Sequence, residues 1–488
     1  MIEKCTDEEK LEYMAYEGEK DFFDNLEKGI KDLNEYKYEN DPEKTVLVCG
    51  GMMGFDKGLS HFLNAWDRKQ GYLFLLSEVT AQYRRYTHER IKFPHICTPH
   101  LLAKEIILFN MNISITDAML KLYKKNKYII EAVDGLETMY GSLGDGYAIA
   151  WCYYADIYIK LLLKKINPKQ VVLWNAFYPF HHIFKNICKE MNIPVSYIEF
   201  GCIPGTICIE NEGQQGESIT ARHYIRERVK RTSSNEKAEA INIIEFLRKS
   251  GLNRNKQPKA DFDFQIMKYY KPGRKSIVYM GQYDYESGMY PNTTAAKKYH
   301  SPIFISTLEG LKYIQILAIK NNWNLIYKAH PIMTKLYKRR EHVNKVSVED
   351  VEIDSVEHVN INSLIDSMDM VITILSQSAY IALIRAKPVL MLGYSQLRGK
   401  GCVYQAKVKK HIERKIKTAL HKGYTAQQRN NFYCHVAQLL KNNLYDDGVE
   451  RVLRYGKSVD SINALHERNK DNDKSNNSNE NIKKTFYF

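Results

Sequence analysis

The fold class this sequence predicts is α/β, with two successive parallel-sheet units facing one another across a central cleft. Three observations predict it. At 488 residues the chain exceeds what one hydrophobic core usually organises, so two domains of roughly 200 residues each are expected. Short apolar runs alternate with helically spaced segments, first over about 45–201 and again over about 276–394. Between the two series lies a polar stretch at 222–272, rich in Lys, Arg and Asn and ending in KQPK and KPGRK, which has the composition of a linker zone.

Taken in order, residues 1 to about 38 space Leu11, Met14, Phe22, Phe23, Leu26, Ile30 and Leu33 as on an amphipathic helix or two. TVLVCGG at 45–51 and YLFLLSE at 72–78 are buried-strand patterns with a helical segment between them, a first βαβ unit. QVVLWNA at 170–176 and PVSYIEFG at 194–201 flank the helix-like FHHIFKNICKEMN. Within the linker zone INIIEFLRKSG has an apolar face and a terminal glycine, the marks of a helix. The second series is SIVYMGQ at 276–282, NLIYKAHP at 324–331, DMVITILSQS at 369–378 and PVLMLGY at 388–394. A last helical segment at about 426–456 is free to return to the first unit, and HERNKDNDKSNNSNENIKK is too poor in apolar residues to offset its ordering entropy.

The formal charge of +14 favours anionic partners: a nucleotide-linked substrate, an anionic bilayer or nucleic acid. No zinc-finger spacing, basic heptad helix or ribonucleoprotein-type aromatic motif is present, so nucleic acid is not an expected partner. The nine cysteines form no CxxC pair and the N-terminus lacks the basic-then-apolar run of a secretory signal, which predicts reduced thiols and a cytoplasmic location. No apolar stretch approaches the ~20 residues of a membrane span, so membrane contact would be peripheral, at the inner face of the cell membrane. No tight His/Cys/Asp spacing predicts a metal site, and no cofactor is expected.

In open parallel sheets ligands bind beyond the carboxyl ends of the strands, so the residues just after each strand carry the functional expectations. Lys328-Ala329-His330-Pro331 follows NLIY and projects a lysine and a histidine toward a phosphate site, the proline stopping the strand. A surface loop with an incidental histidine is the plainer alternative. Ser376 and Ser378 precede a helix starting near Ala379 and bring hydroxyls to an anion site, or serve simply as an N-cap. Gln282 and Asp284, after SIVYMG, line the cleft and meet a base or ribose, or form an ordinary turn. In the first half Glu199 and Glu210 stand among Gly201, Gly205, Gly213 and Gly216. A carboxylate there is suited to deprotonate an acceptor hydroxyl or to steady positive charge on a reacting sugar, although Glu210 is also readable as a solvated loop acid. Gly50, Gly51 and Gly54 form a cleft loop or a close helix-to-strand contact, without the spacing of a dinucleotide fingerprint or a Walker loop.

Four of these segments, in this order, resemble the bacterial capsule polysaccharide synthesis family that includes the β-Kdo transferases. They are EFGCIPGTICIENEGQQGES, similar to its E-x-G and following acidic segment; SIVYMGQYDYES, similar to its G-Q-x-x-D; LIYKAHP, similar to its K-x-H-P; and SMDMVITILSQSAYIALIRAKPVLMLG, similar to its serine-rich and GKPV-like stretch. The resemblance implies a GT-B glycosyltransferase with two Rossmann-like domains. It further implies a CMP-activated donor such as CMP-Kdo, with His330, Ser376 and Ser378 near the CMP phosphate and Glu199 or Glu210 near the reacting sugar. The acceptor it implies is a glycan or a lipid-linked glycan. Two departures stand out: Glu199-Phe200-Gly201 where many CMP-sugar enzymes carry adjacent acids, and Ile381-Ala382-Leu383 where capsule enzymes carry E-A-L.

The division this implies is a helical segment at 1–40, an acceptor-side domain at 41–270, a nucleotide-sugar-binding domain at 271–425, C-terminal helices at 426–465 and a disordered tail at 466–488. Similar K-x-H-P and serine motifs occur in teichoic-acid-type CDP-alcohol phosphotransferases, which are the alternative reading. A catalytically silent glycan-binding subunit of the same fold is the third.

Overall fold

The computed structural model describes residues 19–37, 45–49, 71–77, 94–99, 113–140, 146–222, 229, 231–254, 257–258, 271–284, 287–289, 294–330, 355–356 and 359–446. The glycine loop with Gly50, Gly51 and Gly54 lies outside the described residues, as do Pro331 and everything after 446.

The first unit comprises α1 (Glu19–Glu35), β1 (Thr45–Cys49), β2 (Gly71–Ser77), β3 (His95–Thr98), α2 (Asp117–Lys125), α3 (Lys127–Tyr140), α4 (Tyr147–Ile166), β4 (Gln170–Trp174), α5 (Pro179–Glu190), β5 (Val195–Phe200), β6 (Thr206–Glu210) and a single turn, α6 (Ile219–Arg222). Its sheet has the order β13-β6-β5-β4-β1-β2-β3. The five strands from β3 to β5 are parallel, and β6 returns antiparallel to β5. The expectation of a wholly parallel sheet is therefore corrected at this edge. Both faces of β1 are buried: Leu47 and Cys49 point into one apolar cluster with α4 and α5, and Val46 and Val48 into another with Phe74, Trp174 and Ile198. Burial on both sides is why this strand reads as an unbroken apolar run rather than an alternation. The leading helix α1 buries Leu26 and Leu33 and packs on α4 and β3, which supplies the partner its amphipathic pattern called for.

The second unit continues with α7 (Ser234–Ser250), β7 (Ser276–Met280), α8 (Thr294–Tyr299), α9 (Thr307–Asn321), β8 (Asn324–Lys328), β9 (Ser355–Val356), α10 (Ile361–Ser367), β10 (Met370–Thr373), α11 (Ser378–Ile384), β11 (Val389–Met391), β12 (Tyr404–Gln405), α12 (Ile412–Lys422) and α13 (Ala426–Asn442). Its strand order is β12-β11-β10-β7-β8-β9, parallel throughout. Chain order outward from β7 is thus 3-2-1-4-5-6, the doubly wound arrangement whose switch point lies between the first and fourth strands.

Helix α7, inside the polar linker zone, starts at a capping box of Ser233 and Glu236 and stops at Gly251, which takes a left-handed φ of 65°. It buries Ala240, Ile243, Ile244 and Leu247 in the core of the second unit, each large aliphatic side chain contributing about 1.5–3 kcal/mol. It therefore packs with the half that follows it, against α13 and α11. The chain then crosses back: after α13, β13 (Leu444–Asp446) joins the first sheet antiparallel to β6.

The units meet along a close seam. A Cβ on Gly216 of the first unit would lie 1.6 Å from the Tyr299 carbonyl oxygen of the second, so only glycine fits there. Beside it the buried His300 ring packs edge-on to Phe177 at 4.9 Å, and its Nε2 lies 3.4 Å from Glu217 Oε1. Burial pushes the Glu217 carboxyl up, but Lys185 and His300 outweigh it and hold that group at about 2. Among the described residues no helix is long and apolar enough to cross a membrane.

Candidate functional site

At the switch point of the second sheet, between the carboxyl ends of β7 and β10, opens a cavity of about 780 Å³. Met280 and Gly281 end β7 on its wall, and Lys328, Ala329 and His330 end the neighbouring β8. The backbone ties these ends together, Gly281 N donating to Lys328 O at 2.9 Å. Lys328 is buried and its Nζ donates to Ala329 O at 3.3 Å, while the half-buried His330 ring stacks on Tyr283 with centroids 6.3 Å apart.

Ser376, Gln377 and Ser378 follow β10 on the same wall. Thr373 Oγ1 donates to Met280 O at 3.0 Å and accepts from Ser376 N at 3.3 Å, which pins the loop to the strand ends. Ser376 Oγ takes the Ser378 amide at 3.2 Å and lies 3.1 Å from Ser378 Oγ. The residue at the N-cap position of α11 is Gln377, whose side chain makes no capping bond. Its amide instead joins the two units, Nε2 donating to Phe200 O at 3.2 Å and Oε1 accepting from Arg254 Nη1 at 3.2 Å. The opposite wall is the turn Gly201, Cys202 and Pro204 that follows β5. Leu247, Leu252, Val359, Ile361 and Ile381 supply an apolar surface of the kind that takes a flat ring.

The structure thus brings together Lys328, His330, Ser376 and Ser378, all singled out from the sequence. It does not bring Gln282 or Asp284 into the lining. Gln282 is buried behind it, with Oε1 accepting from Leu375 N at 3.0 Å and Nε2 donating to Met289 Sδ at 2.7 Å. Asp284 accepts from Thr307 N at 2.8 Å and from Thr307 Oγ1 at 2.5 Å, holding the first turn of α9. Both are corrected from cleft contacts to supports of the cleft wall. Burial pushes the Asp284 carboxyl up to about 6, against the pull of the Thr307 bonds. Asp284→Ala would leave the buried Thr307 amide unpaired, and denaturant unfolding should show a loss of about 1–3 kcal/mol. An unchanged midpoint would refute this wall-supporting role.

Glu199 ends β5, half-buried, and Gln215 Nε2 donates to its Oε2 at 2.9 Å. Burial pushes its carboxyl up to about 7; the Gln215 bond and the Arg254 charge pull it down, and Glu210 pushes it further up. It stands behind the Gly201 turn rather than in the lining itself. Glu210 is not a solvated loop acid. It ends β6 in register with Tyr197, two residues back from Glu199, and is buried outside the cavity lining.

Two site residues escaped the sequence reading. Arg254 lines the cavity with its guanidinium carbon 4.9 Å from the Phe200 ring centroid, yet it sits in the stretch read as linker. Only its position three residues past the helix-ending Gly251 marks it. Gln377 lay between two chosen serines without any pattern of its own. The assembled groups can receive an anion: Lys328, His330 and Arg254 supply positive or donor character, the serines supply hydroxyls, and one acid of raised pKa stands next to them.

Residues 294–439, which carry K-A-H-P and both serines, match the family model described as capsule polysaccharide biosynthesis protein. Comparison with curated proteins finds no match. Among solved structures, Thermosulfurimonas dismutans KpsC, a β-Kdo 2,4 transferase, is 13% identical with a TM-score of 0.38, covering 55% of this chain and 79% of that one. The β-Kdo 2,7 transferase of KpsC from the same organism is 17% identical with a TM-score of 0.35, covering 64% and 88%. The Methanocaldococcus jannaschii UDP-GlcNAc 2-epimerase in complex with UDP-GlcNAc and UDP is 11% identical with a TM-score of 0.35, covering 81% and 99%.

Proposed function

Taking as premise that residues 294–439 match capsule polysaccharide biosynthesis proteins, we propose that this GT-B chain is a glycosyltransferase of surface polysaccharide synthesis. It moves Kdo or a related acidic sugar from a CMP-activated donor to a glycan or lipid-linked acceptor. The observation that carries the reading is the cavity at the switch point of the second sheet, cationic and hydroxyl-bearing on one wall and closed on the other by the turn after Glu199.

In this reading the donor phosphate lies against Lys328, His330, Ser376 and Ser378, and the base against the apolar wall. As the sugar–phosphate bond breaks, negative charge grows on the leaving CMP, and groups already aimed at it lower the barrier without reorganising. Glu199, on the first-unit side of the Gly201 turn and with a carboxyl at about 7, accepts the proton of a hydroxyl that attacks from that side. Charge neutralisation by these side chains makes a resident metal unnecessary, so transfer should persist in EDTA.

The test is a donor screen read by release of CMP, UDP or CDP. CMP release from a CMP-linked acidic sugar, increased by an acceptor glycan, is the expected result. CMP release from a CDP-alcohol donor only, with the alcohol phosphate passed to the acceptor, would transfer the site to the phosphotransferase reading. No nucleotide binding at all would remove the proposal.

A further inference from the structure

One face of the second unit combines exposed isoleucine with lysine in a way that neither the core nor the cavity uses. On α9, Ile316 is 63% exposed and Ile319 75%, and Ile305, just ahead of the helix, is 51% exposed. Lys312 and Lys320 fall on the same stripe, by the three- and four-residue spacing of a helix. Isoleucines exposed to this degree gain nothing from facing water, and lysines beside them keep such a face soluble.

The segment leading into α12 extends the face. Lys409 Nζ donates to Glu309 Oε1 at 2.8 Å and lies over the Phe304 ring at 5.2 Å, and Tyr313 Oη donates to Lys409 O at 3.2 Å. Lys320 Nζ and Lys417 Nζ both bond Glu413, at 2.8 and 2.9 Å. Among the described residues the two acids of this face, Glu309 and Glu413, are therefore already matched. Lys407, Lys410 and Arg414 remain exposed beside Val408, which is 42% exposed. The face is apolar along one stripe and net positive around it.

That pairing selects among occupants. A nucleic acid would use the lysines but leave the isoleucines in water. A second copy meeting the same face would oppose lysine to lysine. A bilayer with anionic headgroups satisfies both, taking the isoleucines to the level of the acyl boundary and the lysines to the phosphates.

We propose that the α9–α12 face seats this protein on an anionic lipid bilayer. Asp284, just past the end of β7, holds Thr307 at the start of α9, so the Ile305 end of the stripe lies at the carboxyl edge of the second sheet. The cavity opens at that same edge, and a seated protein presents it near the membrane surface, where a lipid-linked acceptor resides. Seating itself is independent of which donor the cavity takes.

The test is co-sedimentation of the full chain with vesicles of phosphatidylcholine alone or with phosphatidylglycerol added. Binding to the phosphatidylglycerol vesicles, at least about tenfold weaker to phosphatidylcholine, is expected. Ile316→Ser/Ile319→Ser and, separately, Lys407→Glu/Lys410→Glu should each weaken it about tenfold, with CMP affinity unchanged. Three outcomes overturn the inference: no wild-type binding to phosphatidylglycerol vesicles, binding equal in wild type and both variants, or a dimer in light scattering that the isoleucine variant dissolves. Lost CMP binding in the wild type, with vesicle binding intact, would sink the donor reading and leave this one standing.

Discussion

His330→Ala should lower donor turnover by about 100-fold or more while the protein stays folded, because a single preorganised group facing developing charge is commonly worth that much. The ring is half-buried at the end of β8 and stacked on Tyr283, on the cavity side of the core. Its removal costs little packing, since the strand itself is held by ladders on both sides to β7 and β9. The measurement is kcat/KM for the donor found by the screen, beside a thermal melt. Turnover like that of the wild type would end the phosphate role of this residue, and a melt lowered along with turnover would move the effect to stability.

Glu199→Gln should cost a similar factor, and its pH profile distinguishes a proton acceptor from a spectator. With a carboxyl at about 7, the wild-type rate should climb as pH rises through 7, and the variant should lose that limb. Stability moves the other way. Because the folded-state value lies above the ordinary one of 4.5, the carboxyl's favourable contribution is complete below about pH 4.5 and is lost as pH rises through 7. Above pH 7 the variant, uncharged at every pH, should therefore unfold at higher denaturant, by of the order of 2 kcal/mol. A variant less active yet equally pH-dependent would assign the acid to positioning.

The strands that are buried on both faces were legible. β1, β4, β7 and β10 are wholly buried and stand in the sequence as apolar runs, because a strand packed by helices on both sides needs no polar alternation. The site residues at their ends were legible for the same reason, since the end of a parallel strand locates a cleft edge. β3 is four residues with every second side chain only half-buried, and β9, β12 and β13 are two or three residues long, too short for any period to show. β6 was hidden differently: TICIE stands among glycines and acids, and its burial depends on pairing with β5 and with β13, more than two hundred residues downstream.

By itself, then, the sequence determined two α/β units, their sheet cores and the cluster of Lys328, His330, Ser376 and Ser378, because each of these is specified by neighbours within one strand and its turn. Only the tertiary structure decided which half claims α7, that Asp284 and Gln282 brace the wall rather than line it, and that Glu210 is buried behind Glu199. It also decided that Arg254 and Gln377 join the site, through contacts between residues 123 and 177 positions apart. The physical reason is one of range. Periodicity records what a residue buries against its own element, whereas a side chain's partner across a cleft is set by how two separately folded sheets come together, and no local pattern carries that distance.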